Sequence, residues 1–134
     1  MSHLAIIAFV GTIVMCPRIS VGHTFTGRVE RVIDGDTIII RVASASTIPT
    51  NRANPLACDS LQRVRLAEID APELKEPGGQ ESKQALSNMI LHRQVSITWT
   101  HRGRYRRIIG QVHLDRRSIN RELIAHGWAG PYGR

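Results

Sequence analysis

Aromatic side chains are scarce, at 4% of the 134 residues, so any core must be built from Val, Ile, Leu and Ala within an apolar fraction of 42%. Only two cysteines occur, Cys16 and Cys58, with no CxxC and no Cys/His cluster. That excludes a zinc module and a disulfide framework. Six histidines are scattered along the chain. Acidic residues are in deficit, 11 Asp+Glu against 18 Lys+Arg, for a formal charge of +7. A basic excess favours an anionic partner, and nucleic acid presents the densest common anionic charge. No internal repeat is visible, and the length suits one domain.

No apolar run is long enough to cross a bilayer, which takes roughly 20 residues. Leu4 to Met15 (LAIIAFVGTIVM) is uncharged and ends before Pro17. It has the length of a signal-peptide h-region, about 7–15 residues, and Ser20-Val21-Gly22 places small residues at the positions a signal peptidase reads. The expectation is a signal peptide over 1–22, cleaved after Gly22, one domain over 23–134, and a secreted or periplasmic product. No Lys or Arg precedes the run, so a misplaced start codon or an uncleaved anchor is the alternative. Cleavage would remove Cys16 and leave Cys58 a free thiol.

From Phe25 onward short apolar runs alternate with turn signals. Strands are predicted at Arg28–Ile33, with a bulge suggested by Val29 and Val32 three apart, and at Thr37–Val42. Ala43 to Ser60 reads as a long loop, kept out of a sheet interior by Pro49 and Pro55. A third strand is predicted at Gln62–Ile69, a helix at Gln80–Leu91, and strands at Val95–Trp99 and Arg107–His113. Gly110 suggests a bulge or close packing. A second helix is expected to start at Asn120 as N-cap, with Ile119 and Ile124 as a hydrophobic staple and Gly127 at C′. Five short strands with a helix between the third and fourth predict a mainly β, OB-type, five-stranded Greek-key barrel with two packed helices.

Three segments concentrate the unusual polar chemistry: Asp34-Gly35-Asp36-Thr37, Arg65 to Glu73 (RLAEIDAPE), and Arg104-Tyr105-Arg106-Arg107. Asp36 and Asp70 lie at strand ends, where a barrel can bring both to one rim. Two close carboxylates repel unless a cation lies between them, and a hard cation takes oxygen ligands alone. Arg65 and Arg107 supply planar forks suited to a phosphate. Glu73 follows Pro72, which stiffens the turn. These are parts for metal-assisted phosphodiester hydrolysis. Taken singly, each segment is as well explained by solvated turn carboxylates and surface arginines.

The run VIDGDTI (Val32–Ile38), then RLAEIDAPE (Arg65–Glu73), YRR (Tyr105–Arg107) and INRELIAHGWA (Ile119–Ala129), resembles the staphylococcal nuclease (thermonuclease-like) family in content and order. The resemblance implies a Ca²⁺-dependent nuclease acting on DNA or RNA, with unpaired strands as substrate, 3′-phosphate ends as product and a monomeric enzyme. It implies Asp36, Asp70 and the backbone carbonyl of Ala71 as metal ligands, Glu73 as the base acting on water, and Arg65 and Arg107 as phosphate-binding arginines. Asp34 would help orient the metal shell, and Arg104 and Tyr105 would contact a terminal phosphate. Departures are Arg106 where Gly is usual, Ala71 where Thr is common, a longer 43–60 loop, a shorter 74–79 loop, and a chain that stops before the family's last helix. Tyr132 is a candidate substitute for the aromatic positions lost with that helix. Competing readings are a non-catalytic nucleic-acid-binding barrel and a His-based nuclease using His113, Asn120 and His126. Trp99 alternates with Val95 and Ile97 and is expected in the core; Trp128 is open to a stacking role.

Overall fold

The computed structural model describes residues 23–45 and 56–133. The expected signal segment and the middle of the 43–60 loop lie outside the described residues. Among the described residues, eight strands and two α-helices follow in the order β1 (His23–Asp34), β2 (Thr37–Ala45), β3 (Leu61–Leu66), β4 (Ile69–Asp70), α1 (Gly79–Ile90), β5 (Gln94–Arg102), β6 (Ile108–Leu114), β7 (Arg117–Ser118), α2 (Ile119–Ala125) and β8 (Gly130–Pro131).

Five of the strands form the barrel, in the order β3-β2-β1-β5-β6, and a parallel pairing of β3 with β6 closes it. Closure removes the exposed edges that an open sheet would present. Alternation along β6 sends Ile108, Gly110, Val112 and Leu114 inward, the period-2 pattern of a strand with one face in a core. Register shifts in β1 between Val29 and Arg31, and between Val32 and Asp34, are the bulges expected from the spacing of the valines. They let one long strand bend enough to pair with both β2 and β5. Gly110 is a close-packing site: an added Cβ would sit 2.9 Å from Ile97 Cγ2 and 3.0 Å from Thr98 O.

The core is aliphatic, as the composition requires, with Val29, Ile38, Ile40, Val64, Leu66, Ile97, Ile108 and Val112 fully enclosed. Trp99 is buried among them. Helix α1 covers one end of the barrel through Leu86 and Ile90, both fully buried. Each such side chain contributes about 1.5–3 kcal/mol relative to exposure.

β1 begins five residues before the predicted start, β2 and β5 each run three residues past their predicted ends, and the short strands β7 and β8 have no counterpart among the predicted strands. Two further elements depart in kind. The third strand does not run through to Ile69. It breaks at Ala67-Glu68, where Glu68 takes φ 64°, and resumes as β4, which pairs with β8 rather than joining the barrel. The second helix is capped two residues earlier than expected, with Ser118 as N-cap accepting from Arg121 N–H at 3.4 Å. Asn120 is buried inside the first turn, and Ile124 is 40% exposed, so no Ile119–Ile124 staple forms. Arg117 and Glu122 instead clasp the helix start through two hydrogen bonds of 2.6–2.7 Å. The C-terminal end follows expectation: Gly127 N–H bonds Ile124 O and Trp128 N–H bonds Leu123 O, a Schellman exit.

Candidate functional site

The acidic turn between β1 and β2 is held by its own side chains. Asp34 Oδ1 accepts from Asp36 N–H at 3.0 Å, an Asx-type turn that needs only one short acidic side chain. Gly35 lies against Ala71 and Ser82, and a Cβ there would stand 2.7 Å from both of their Cβ atoms. The turn is thereby pressed onto the segment carrying Asp70 and Glu73. Asp36 Oδ1 accepts from Thr37 Oγ1, and Oδ2 accepts from Ala71 N–H, each at 3.0 Å. The residue is only 6% exposed. Burial pushes its carboxyl up to about 6, with Asp34 adding to the rise, while the Ala71 N–H and the Arg65 charge oppose it.

Arg65 sits on β3, half-buried, and uses both terminal nitrogens of its fork. Nη1 donates to Leu66 O and Ile69 O, both at 3.0 Å, bridging the break between β3 and β4. Nη2 lies 3.4 Å from Asp36 Oδ2 and 3.4 Å from Asp70 Oδ1. One nitrogen therefore joins the two carboxylates that the sequence places far apart. Tyr132, just past β8, lies with its ring 5.5 Å from the Arg65 guanidinium carbon.

Arg65, Arg104, Arg107 and Tyr132 share a cleft of about 280 Å³. The strand register explains this, because Arg65 pairs with Ile109, two residues beyond Arg107. Arg107 is half-buried and steadied by its Nε–H donating to Arg104 O at 3.3 Å. Glu73 is exposed and lines a second cleft of about 440 Å³ with Asp70, Ala71 and Pro72. Its carbonyl accepts from Glu76 N–H at 2.8 Å. Gly79 packs against that same carbonyl, where a Cβ would collide, so the loop bearing Glu73 folds back tightly onto the start of α1.

The structure thus gathers Asp36, Arg65, Asp70 and Ala71 at one point, with Arg104 and Arg107 in the cleft on one side and Glu73 in the cleft on the other. Tyr105 is not gathered with them: it is 86% exposed and does not line the arginine cleft. Asn120, read from sequence as a cap, is a positioning residue. Its amide donates to Ala67 O at 2.9 Å and accepts from Val112 N–H at 3.0 Å, fixing the turn that leads into Asp70. Only its burial, which sequence does not display, could have told it from a cap. His113 and Asn120 line a different groove from His126. The His-based arrangement is therefore not assembled.

A hard divalent cation fits this donor set. Asp36 is a nearly buried carboxyl whose charged form is undercompensated, and Asp70 meets it across the shared Arg65 nitrogen, so the two offer carboxylate oxygen to a cation. No group of three or more Asp, Glu, His or Cys side chains forms a cage among the described residues. An ion held here would draw its remaining ligands from backbone oxygen and water, as Ca²⁺ commonly does.

Comparison with known proteins agrees with the geometry. A family model, Staphylococcal nuclease homologue (SNase), matches residues 63–133. The chain is 33% identical over 107 residues to an "Uncharacterized endonuclease" of Haemophilus influenzae, covering 80% of this chain and 52% of that protein. It is 34% identical over 107 residues to an "Uncharacterized endonuclease" of Escherichia coli, covering 79% and 60%. It is 29% identical over 137 residues to a "Micrococcal nuclease" of Shigella flexneri, covering 96% and 70%. The chain thus spans little more than half the length of the first two relatives. With the barrel, the two helices and the match over β3 to β8, the chain belongs to the staphylococcal nuclease homologue family.

Proposed function

We propose that this domain is a nuclease that hydrolyses phosphodiester bonds of DNA or RNA with a bound Ca²⁺ ion. The observation that carries the reading is the shared contact of Arg65 Nη2 with Asp36 and Asp70, with the arginine cleft on one side and Glu73 on the other. Asp36, Asp70 and the carbonyl of Ala71 would hold the ion, which when bound offsets negative charge on the phosphate and makes a nearby water more acidic.

The chain's own residues supply the rest. Arg65 and Arg107 pair with the non-bridging phosphate oxygens and stabilise the charge that builds as water attacks phosphorus. Glu73 takes the proton from that water. The new P–O bond forms as the bond to the 5′ oxygen breaks, and that oxygen takes a proton from solvent, leaving a 3′-phosphate and a 5′-hydroxyl. Arg104, which lines the cleft with Arg65 and Arg107, grips a terminal phosphate of the strand, a role that Tyr105, outside the cleft, does not share. Unpaired strands are the preferred substrate, because a shallow rim reaches a splayed backbone more readily than a stacked duplex. The protein acts as a monomer outside the cytoplasm, after removal of residues 1–22.

Digestion of single-stranded DNA and of RNA tests the reading. Cleavage is expected with Ca²⁺, and a loss of at least about a hundredfold with EDTA or in Glu73→Gln. Equal rates in all three would overturn the mechanism. N-terminal sequencing of the exported protein should begin at His23; an intact Met1 terminus would overturn the processing.

A further inference from the structure

Trp128 is held firmly and yet left open. Its N–H closes the Schellman exit of α2 on Leu123 O at 2.9 Å, and its carbonyl accepts from Ser82 Oγ on α1 at 2.5 Å. The backbone is thereby pinned between the two helices. The residue nevertheless stays 37% exposed, whereas Trp99 is 6% exposed. A tryptophan that only filled space would gain more by full burial.

Its surroundings suggest a use. Trp128 borders the cleft that holds Asp70, Ala71, Pro72 and Glu73. It also borders a neighbouring cleft of about 310 Å³ that includes Met89, Arg117 and His126. Two residues further on, β8 pairs Gly130 with Asp70. Two residues beyond that, Tyr132 lines the arginine cleft on the other side. The short strand thus carries one aromatic to each side of the Arg65–Asp70 contact.

We propose that Trp128 is a substrate-binding residue, a stacking platform for a nucleobase on the Glu73 side of the phosphate being cut. The inference rests on the nuclease reading and adds a subsite to it. Stacking on an aromatic ring is tolerant of sequence, since every base has a π-face. Such a platform orders the flanking nucleotide without selecting it.

The test uses the Glu73→Gln protein with Ca²⁺, which holds substrate uncut, and a labelled oligo-dT strand. Binding is followed by anisotropy of the label and by intrinsic tryptophan fluorescence. Only two tryptophans emit, and Trp99 is buried, so quenching that tracks binding reports Trp128. Replacing Trp128→Phe should abolish the quench while the Kd stays within about threefold. Trp128→Ala should weaken binding roughly tenfold and, with Glu73 restored, raise KM more than it lowers kcat. Binding by anisotropy without a quench, or a quench that survives Trp128→Phe, would overturn the proposal, as would an unchanged Kd in Trp128→Ala. A purely structural role predicts lower thermal stability with no quench. Absence of both binding and wild-type cleavage would remove the nuclease reading, and the proposal with it.

Discussion

At the scale of single residues, Asp36 and Arg65 hold the site in tension. Asp36 binds a proton more tightly in the folded chain than in the unfolded one, about 6 against 3.8. Its charged form therefore costs stability above about pH 6, and that cost disappears as pH falls from 6 toward 4. In chelator at pH 7.5, Asp36→Asn should be more stable than wild type by about 2–3 kcal/mol in urea unfolding. The difference should vanish near pH 4; a gap that widens on acidification would mean that Asp36 is stabilised in its charged form. Arg65 serves four acceptors from one fork. A lysine keeps the charge but has one nitrogen, so it can meet either the backbone carbonyls or the carboxylates. Arg65→Lys should lower kcat/KM by about a hundredfold. Activity within threefold of wild type would show that charge alone suffices there.

Among the elements, the turn Arg104–Arg106 carries the clearest local conflict. Tyr105 and Arg106 both have φ 57°, a left-handed backbone that costs a non-glycine residue about 1–2 kcal/mol. Arg106 is the position where the sequence departs from a glycine usual in the family it resembles. Arg106→Gly should relieve the strain, partly offset by the greater freedom of glycine in the unfolded chain, for a net gain of up to about 1 kcal/mol. Thermal melting checks it, and a lower Tm would show that the Arg106 side chain makes a compensating contact. A left-handed residue also explains where the strand pattern misled. QRVRLAEI reads as one strand because its apolar residues alternate almost throughout, yet Glu68 turns the chain, and glutamate gives no warning of positive φ. At α2, Ser118 and Asn120 are both good caps two residues apart. The choice was made by Asn120 being needed inside, against Ala67 and Val112, a tertiary demand absent from the local sequence. Where the signal was purely periodic, as in α1 and β6, the elements fell within two residues of expectation.

Across the whole molecule, residue types were legible and their convergence was not. Charge, the DGD turn and the paired arginines point to an anion and a cation, but nothing local says that β3 will pair in parallel with β6 and so set Arg65 beside the Arg107 strand. That closure is the step on which the site depends, and it joins the site to the stability of the barrel. A divalent ion that binds only the gathered carboxylates stabilises the folded state by RT ln(1 + [L]/Kd), about 2.7 kcal/mol at a hundredfold excess over Kd. For a domain of roughly 100 residues each kcal/mol moves Tm by about 4–8 °C. Adding Ca²⁺ to chelated protein should therefore raise Tm by on the order of 10 °C, and the rise should grow with the logarithm of Ca²⁺ concentration. It should persist in Glu73→Gln, because Glu73 acts on water, and should nearly vanish in Asp36→Asn. An equal rise in Asp36→Asn and wild type would remove Asp36 from the ligands of the ion.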